Sequence, residues 1–137
     1  SGEKYILLGH NGHLSKSNAK NINGDRYTTW DVIGAWITNR FPKKVYAIWN
    51  FIGRGEHSGH GCPGRTTCFF DLVPGTLEEI LYNISSEQAL FFKNSAVFKK
   101  NEDLIKTVVN GEEVTSGKYG DYADAFYFIP EVKDFRP

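Results

Sequence analysis

Short apolar runs alternate with amphipathic stretches along this chain, and each change of period predicts an element. Lys4 to Leu8 is apolar and compact, and reads as a buried strand with Gly9 directly after it. Residues 11–27 are rich in Asn, Ser, Lys and Gly and read as a loop. Thr28-x-x-Asp31 has the form of a helix start, since a threonine oxygen can accept from an early backbone N–H. Val32, Ile33, Trp36, Ile37 and Phe41 then recur at helical spacing as one apolar stripe, and Pro42 stands where such a helix stops. Lys44 to Ile52 is rich in β-formers and predicts a strand. Gly53 to Gly64 holds five glycines in twelve residues and predicts a loop. Thr66 to Val73 reads as a strand, broken by Pro74-Gly75. Thr76-x-x-Glu79 is a capping box opening a helix with Leu77, Ile80, Leu81 and Ile84 on one face. Gln88 to Phe92 predicts a short strand. Asn101 to Asn110 reads as a short helix with Leu104, Ile105, Val108 and Val109 inward. Asp124 to Ile129 is a final strand closed by Pro130.

This order predicts an α/β fold, three-layer α/β/α with a mainly parallel sheet. Ligands in such sheets sit at the carboxyl ends of strands. The loops after Leu8 and after Ile52 are both expected there. A length of 137 suits one domain over 1–137. The chain has no Met, even at position 1, so it is expected to be a processed product or a piece of a larger domain.

Hydrophobic residues at 40% and charged residues at 23% are those of an ordinary globular protein, and aromatics at 15% point to rings as the main packing units. The formal charge of zero argues against a nucleic-acid partner, which would leave a basic face. No stretch approaches the ~20 apolar residues of a membrane helix, and Ser1-Gly2-Glu3 lacks the features of a signal peptide. No membrane partner is therefore expected. A soluble protein follows, with the cytoplasm favoured and the oligomeric state open.

Two stretches carry candidate chemistry. In "GHNGHLSK", His10 and His13 share a glycine-softened loop, with Asn11 between them. Imidazoles titrate near neutrality and can take a proton from water and return it. An asparagine amide can hold a ring or meet an oxyanion. The inert reading is that H-x-x-H turns occur by chance on many surfaces. The second stretch, "GRGEHSGHGCPGRTTC", holds His57, His60, Cys62 and Cys68. A plain loop, a Cys62–Cys68 disulfide and a zinc site compete there, in that order, because H-x-x-H-x-C-x₅-C fits no common zinc spacing. The sequon Asn83-Ile84-Ser85 is read as chance, with Ile84 inward on its helix.

"LLGHNGHLSKS" resembles the W-A-H-N-x-H-I segment of the erythromycin esterase family, which includes succinoglycan biosynthesis proteins. "TTWDVIGAWITNRFPKKVYAIWNFIGRGE" is similar to the family's helix and its "YGDKVYAIGF…G" strand, "VPGTLEEILYNI" to "PPGSLEEALH", and "YADAFYFIP" to "FDALIYIP". The order agrees from Lys4 to Val132. The resemblance implies a hydrolase, linked in the family to macrolide resistance, that adds water to a cyclic ester without a cofactor. A small-molecule ester is then the partner. By motif match His10 and His13 carry over as catalytic residues, and Asn11 as a substrate-site residue. Arg54 and Glu56 follow as neighbours of the cleft, since the matching strand ends near it. Family members are considerably longer, and their upstream histidine and glutamate have no counterpart here. Gly9 also replaces the usual alanine. The chain thus resembles the C-terminal portion alone, expected to be weak or inactive by itself. A non-catalytic binding module of the same fold is the alternative.

Overall fold

The structure, a computed structural model, describes residues 4–23, 26–57, 67–99, 105–109 and 113–133. In chain order the elements are β1 (Ala19–Asn23), β2 (Arg26–Trp30), α1 (Ile33–Arg40), β3 (Ile48–His57), β4 (Cys68–Phe70) and α2 (Leu77–Ile84). They continue with β5 (Ala89–Phe92), α3 (Ala96–Lys99), β6 (Ile105–Val109), β7 (Glu113–Gly117), α4 (Tyr119–Tyr122) and β8 (Ala125–Val132).

Among the described residues two four-stranded sheets form, with orders β2-β1-β7-β6 and β4-β3-β8-β5. Helices and sheets make an α/β fold, but the sheets are not mainly parallel. Among the described strands only β3–β8 is parallel, and the other five pairings are antiparallel. The physical reason is connection length. β1 reaches β2, and β6 reaches β7, through a few residues, and so short a link can only turn back on itself.

The core lies on one face of the second sheet. Trp49 and Phe51 of β3 and Phe126 and Phe128 of β8 point the same way, as the register Trp49↔Phe126 and Phe51↔Phe128 requires. Leu77 and Leu81 of α2, Phe98, Ile105, Tyr119 and Tyr122 close over them. Phe98 stacks on Phe126 with centroids 4.1 Å apart, and Trp49 lies 5.4 Å from Tyr122. The alternate residues Ile48, Ile52, Leu90 and Phe92 face the other way and are exposed. The described residues therefore leave the second sheet's outer face open where a third layer was expected.

Several segments depart from the sequence reading. Lys4 to Leu8 is no strand. It lies outside both sheets, with Tyr5, Ile6, Leu7 and Leu8 between 60 and 94% exposed. The polar stretch 11–27 is not all loop, since β1 and the start of β2 occupy its second half. Tyr27, Thr28, Thr29 and Trp30 are good β-formers, and they extend where a helix start was read. Residues 105–109 are β6 and not a helix. Ile105 and Thr107 are buried while Lys106 is exposed, and pairing with β7 selects that two-residue period. Asn101 to Leu104 lie outside the described residues.

β3 continues through Gly53 and Gly55 to His57. Gly55 has φ +143°, and a Cβ there would lie 2.0 Å from the Val132 carbonyl oxygen. The glycine lets β3 and β8 keep pairing at that point. β8 also passes through Pro130. Its pairing with β5 ends at Phe128, so the proline's missing N–H falls beyond that ladder. Of the expected capping box, neither half forms as read, since Thr76 gives no side-chain cap and Glu79 reaches one residue too far back. Thr76 Oγ1 donates to Val73 O at 2.7 Å, and Glu79 Oε2 accepts from Gly75 N at 2.7 Å. Ile84 and Asn83 are both exposed, so the inward Ile84 of the sequon reading is not found.

Candidate functional site

The histidine loop is held at both ends. Within it, His13 N and Leu14 N donate to His10 O at 3.0 and 3.2 Å, closing a turn. Gly12 N donates to His10 Nδ1 at 3.2 Å. Nδ1 is thus an acceptor, which puts the proton of neutral His10 on Nε2. The two rings stand 5.9 Å apart at 64°, and both residues are exposed. Asn11 fixes the loop to β3 through a reciprocal pair. Its Nδ2 donates to Asn50 O at 2.7 Å, and its Oδ1 accepts from Asn50 N at 3.1 Å. The side-chain amide occupies the place of a neighbouring strand's peptide group.

The loop also packs on α1, where Gly34 N donates to His13 O at 3.1 Å. A Cβ at Gly34 would lie 2.4 Å from Leu14 C and Ser15 O. Alanine ordinarily favours a helix over glycine by about 1 kcal/mol. Here the clash with backbone outweighs that gain, because the loop must move. Gly34→Ala is expected to destabilise the protein by roughly 1–3 kcal/mol. Urea unfolding checks it, and a variant as stable as the parent would mean the loop does not pack there.

At its far end the loop meets Asp124. Lys16 Nζ lies 2.8 Å from both carboxylate oxygens, Ala47 N donates to Oδ2 at 2.9 Å, and Lys93 Nζ stands 3.6 Å from Oδ1. Burial pushes the Asp124 carboxyl up, but the Lys16 and Ala47 hydrogen bonds and the two lysine charges win and hold it below its ordinary value. These anchors, Asn50, Ala47 and Asp124, lie at the amino ends of the parallel β3 and β8. The loop does not sit at a carboxyl end, as expected. The cause is that Lys4–Leu8 never enters a sheet, so no strand delivers it there.

Arg54 and Glu56 share Asn50's face of β3, but lie ~13 and ~20 Å further along by strand rise. The structure does not bring them beside the two imidazoles. Arg54 Nη2 pairs with Glu131 at 3.5 Å, and its guanidinium lies 5.2 Å from the Tyr82 ring. His57 ends β3, while His60 and Cys62 lie outside the described residues. Cys68 is disulfide-bonded, so its sulfur is no free thiolate for zinc. Among the described residues no group of three or more His, Cys, Asp or Glu is placed to hold a metal, and no helix is long and apolar enough to cross a membrane.

Sequence reasoning missed Glu78. It is 3% exposed, its Oε1 accepts from Val108 N at 3.2 Å, and its Oε2 has no hydrogen-bond partner. Burial raises the Glu78 carboxyl to about 7. Its charge helps raise the Tyr119 phenol, which burial raises first and the Thr107 and Thr115 hydroxyls partly lower. A glutamate one residue before the expected capping glutamate carries no signal of burial in its letters.

No family model and no curated protein matches this chain. Its fold does match solved structures. A Bacillus cereus protein has TM-score 0.64 and 20% identity over 91% of this chain and 33% of its own. A succinoglycan biosynthesis protein has TM-score 0.68 and 16% identity over 90% and 32%. A mutant erythromycin esterase in its open conformation has TM-score 0.61 and 15% identity over 92% and 31%. The resemblance read from the sequence thus holds at the level of the fold, and the chain spans about a third of the length of these proteins.

Proposed function

We propose that this chain is the histidine-bearing portion of a hydrolase built on the erythromycin-esterase fold, adding water to a small-molecule ester. The observation that carries the reading is the pair of imidazoles 5.9 Å apart on a loop anchored at both ends, in a chain with that fold. His10 keeps its Nε2 proton while Nδ1 accepts from Gly12, so it suits a hydrogen bond to the ester carbonyl oxygen, and the proton that His13 takes from water returns from His13 to the leaving alkoxide. His13 is then the base that takes a proton from water. Asn11 steadies the loop and keeps one further donor and acceptor for the ester. No cofactor is required. The exposed rings match a cleft whose other wall, with its upstream histidine and glutamate, belongs to the remainder of a longer protein. The same remainder supplies the third layer over Ile48, Ile52, Leu90 and Phe92.

Turnover of a chromogenic ester tests this. The chain alone is expected to be slow, with His13→Ala, and His10→Ala plus His13→Ala, lowering its rate by about 10²-fold or to background. Equal rates in parent and double variant would leave the alternative, a non-catalytic binding module. The exposed apolar outer face of the second sheet is the observation that favours that alternative.

A further inference from the structure

Lys16 uses all three ammonium hydrogens at one point. Its Nζ lies 2.8 Å from Asp124 Oδ1, 2.8 Å from Oδ2, and 3.3 Å from Val45 O. Its backbone N–H donates to Tyr122 O at 2.8 Å. Asp124 in turn receives Ala47 N, and its own backbone bonds the approach to β3 through Ala47 O and the residue just after β5 through Lys93 N. A residue three positions after His13 is therefore bolted to the segments that start both parallel strands. The side chains are largely shielded, at 21% exposed for Lys16 and 14% for Asp124, so water does not dissolve the pair as it does on an open surface.

We infer that Asp124, acting through Lys16, is a positioning residue that sets the geometry of the His10–His13 pair. Its catalytic meaning rests on the proposed hydrolase reading, whereas its mechanical role does not. Charge balance alone does not explain the contact. Lys93 already stands 3.6 Å from the same carboxylate and Ala47 N bonds it, so the carboxylate keeps partners without Lys16. What Lys16 adds is the connection to the loop. Removing the ammonium loosens this end of the loop, which keeps its backbone bond to Tyr122 O, and leaves the sheet junction closed.

Lys16→Met is the informative variant, since it keeps the length and apolar stem of the side chain. Hydrogen exchange followed by NMR on the whole chain reads the loop through the amides of Gly12, Leu14 and Gly34, and the sheet through those of Phe126 and Phe128. The loop amides are expected to exchange at least about tenfold faster in Lys16→Met, with the β8 amides unchanged, and Lys16→Arg should recover most of the protection. Unchanged loop amides would overturn the inference. So would equal acceleration of loop and β8, which marks a merely structural contact. Asp124→Asn should repeat the loop effect, and if it fails to fold Lys16→Met decides alone. In an ester assay, kcat should drop about tenfold with KM within about twofold. If the parent shows no turnover, the exchange data alone decide the positioning role, which stands or falls apart from the hydrolase reading.

Discussion

Phe126→Ala should lower the stability of this protein by roughly 3–5 kcal/mol, the usual range for deleting a buried ring. Phe126 is fully buried in β8, one of the two inner strands of the second sheet. It stacks on Phe98 at 4.1 Å and lies 5.7 Å from Phe51. The ring thus ties α3, β3 and β8 into one cluster. Its removal leaves a cavity lined by other rings, which are too large and too constrained by their strands to collapse into it. Since small domains carry only about 5–15 kcal/mol in total, the variant sits near the edge of folding at room temperature. The check is the denaturant midpoint, with an unchanged m-value showing that the same surface is exposed on unfolding. A loss below about 1 kcal/mol would be incompatible with a packed aromatic core.

Glu78→Gln should stabilise the protein at alkaline pH and do almost nothing at acid pH. Burial raises the Glu78 carboxyl from 4.5 to about 7, and each pH unit corresponds to about 1.4 kcal/mol, so the linked free energy is on the order of 3 kcal/mol. The folded-state value is the higher one, so the folded state holds its proton where the unfolded chain has lost it. Stability from this group is complete below pH 4.5 and is lost as pH rises through about 7. Glutamine stays neutral, and its oxygen can keep the bond to Val108 N. Urea midpoints of parent and variant should coincide near pH 4 and diverge by up to about 3 kcal/mol at pH 8. Parallel curves across that range would mean that Glu78 is not buried as a carboxylic acid. Asp124 acts in the opposite sense. Its value is held below 3.8, so its contribution is present above that pH and lost on further acidification, in parent and variant alike.

What was legible in the sequence follows from the range of the forces involved. α2 shows because Leu77 and Leu81 must share a face to reach one core. The second sheet shows because its strands, Ile48–Ile52, Ala89–Phe92 and Ala125–Ile129, are dense in β-formers. The first sheet is nearly invisible because Ala19–Asn23 and Glu113–Gly117 are polar strands that announce no buried face. Ile105–Val109 is ambiguous, since a five-residue run of Ile, Lys, Thr, Val and Val satisfies helical and extended periods alike. At the site, the letters H-N-x-H marked the loop but not what holds it. Asn11 finds Asn50 39 residues away, and Lys16 finds Asp124 across 108. Nothing local encodes such meetings. For the same reason Arg54 and Glu56, which the family resemblance set beside the cleft, lie well along β3 from the point where Asn11 meets it.

The parallel pairing of β3 with β8 has a kinetic consequence. Ile48 sits beside Ala125, so the middle of the second sheet joins strands 77 residues apart. Closing so large a loop loses much chain entropy before any contact repays it. A ribosome would release β3 long before its neighbour exists, and the nascent strand must wait with one edge bare until β8 has emerged. Refolding should accordingly be slow for a chain of this size, and crowded conditions during that wait are where aggregation would begin.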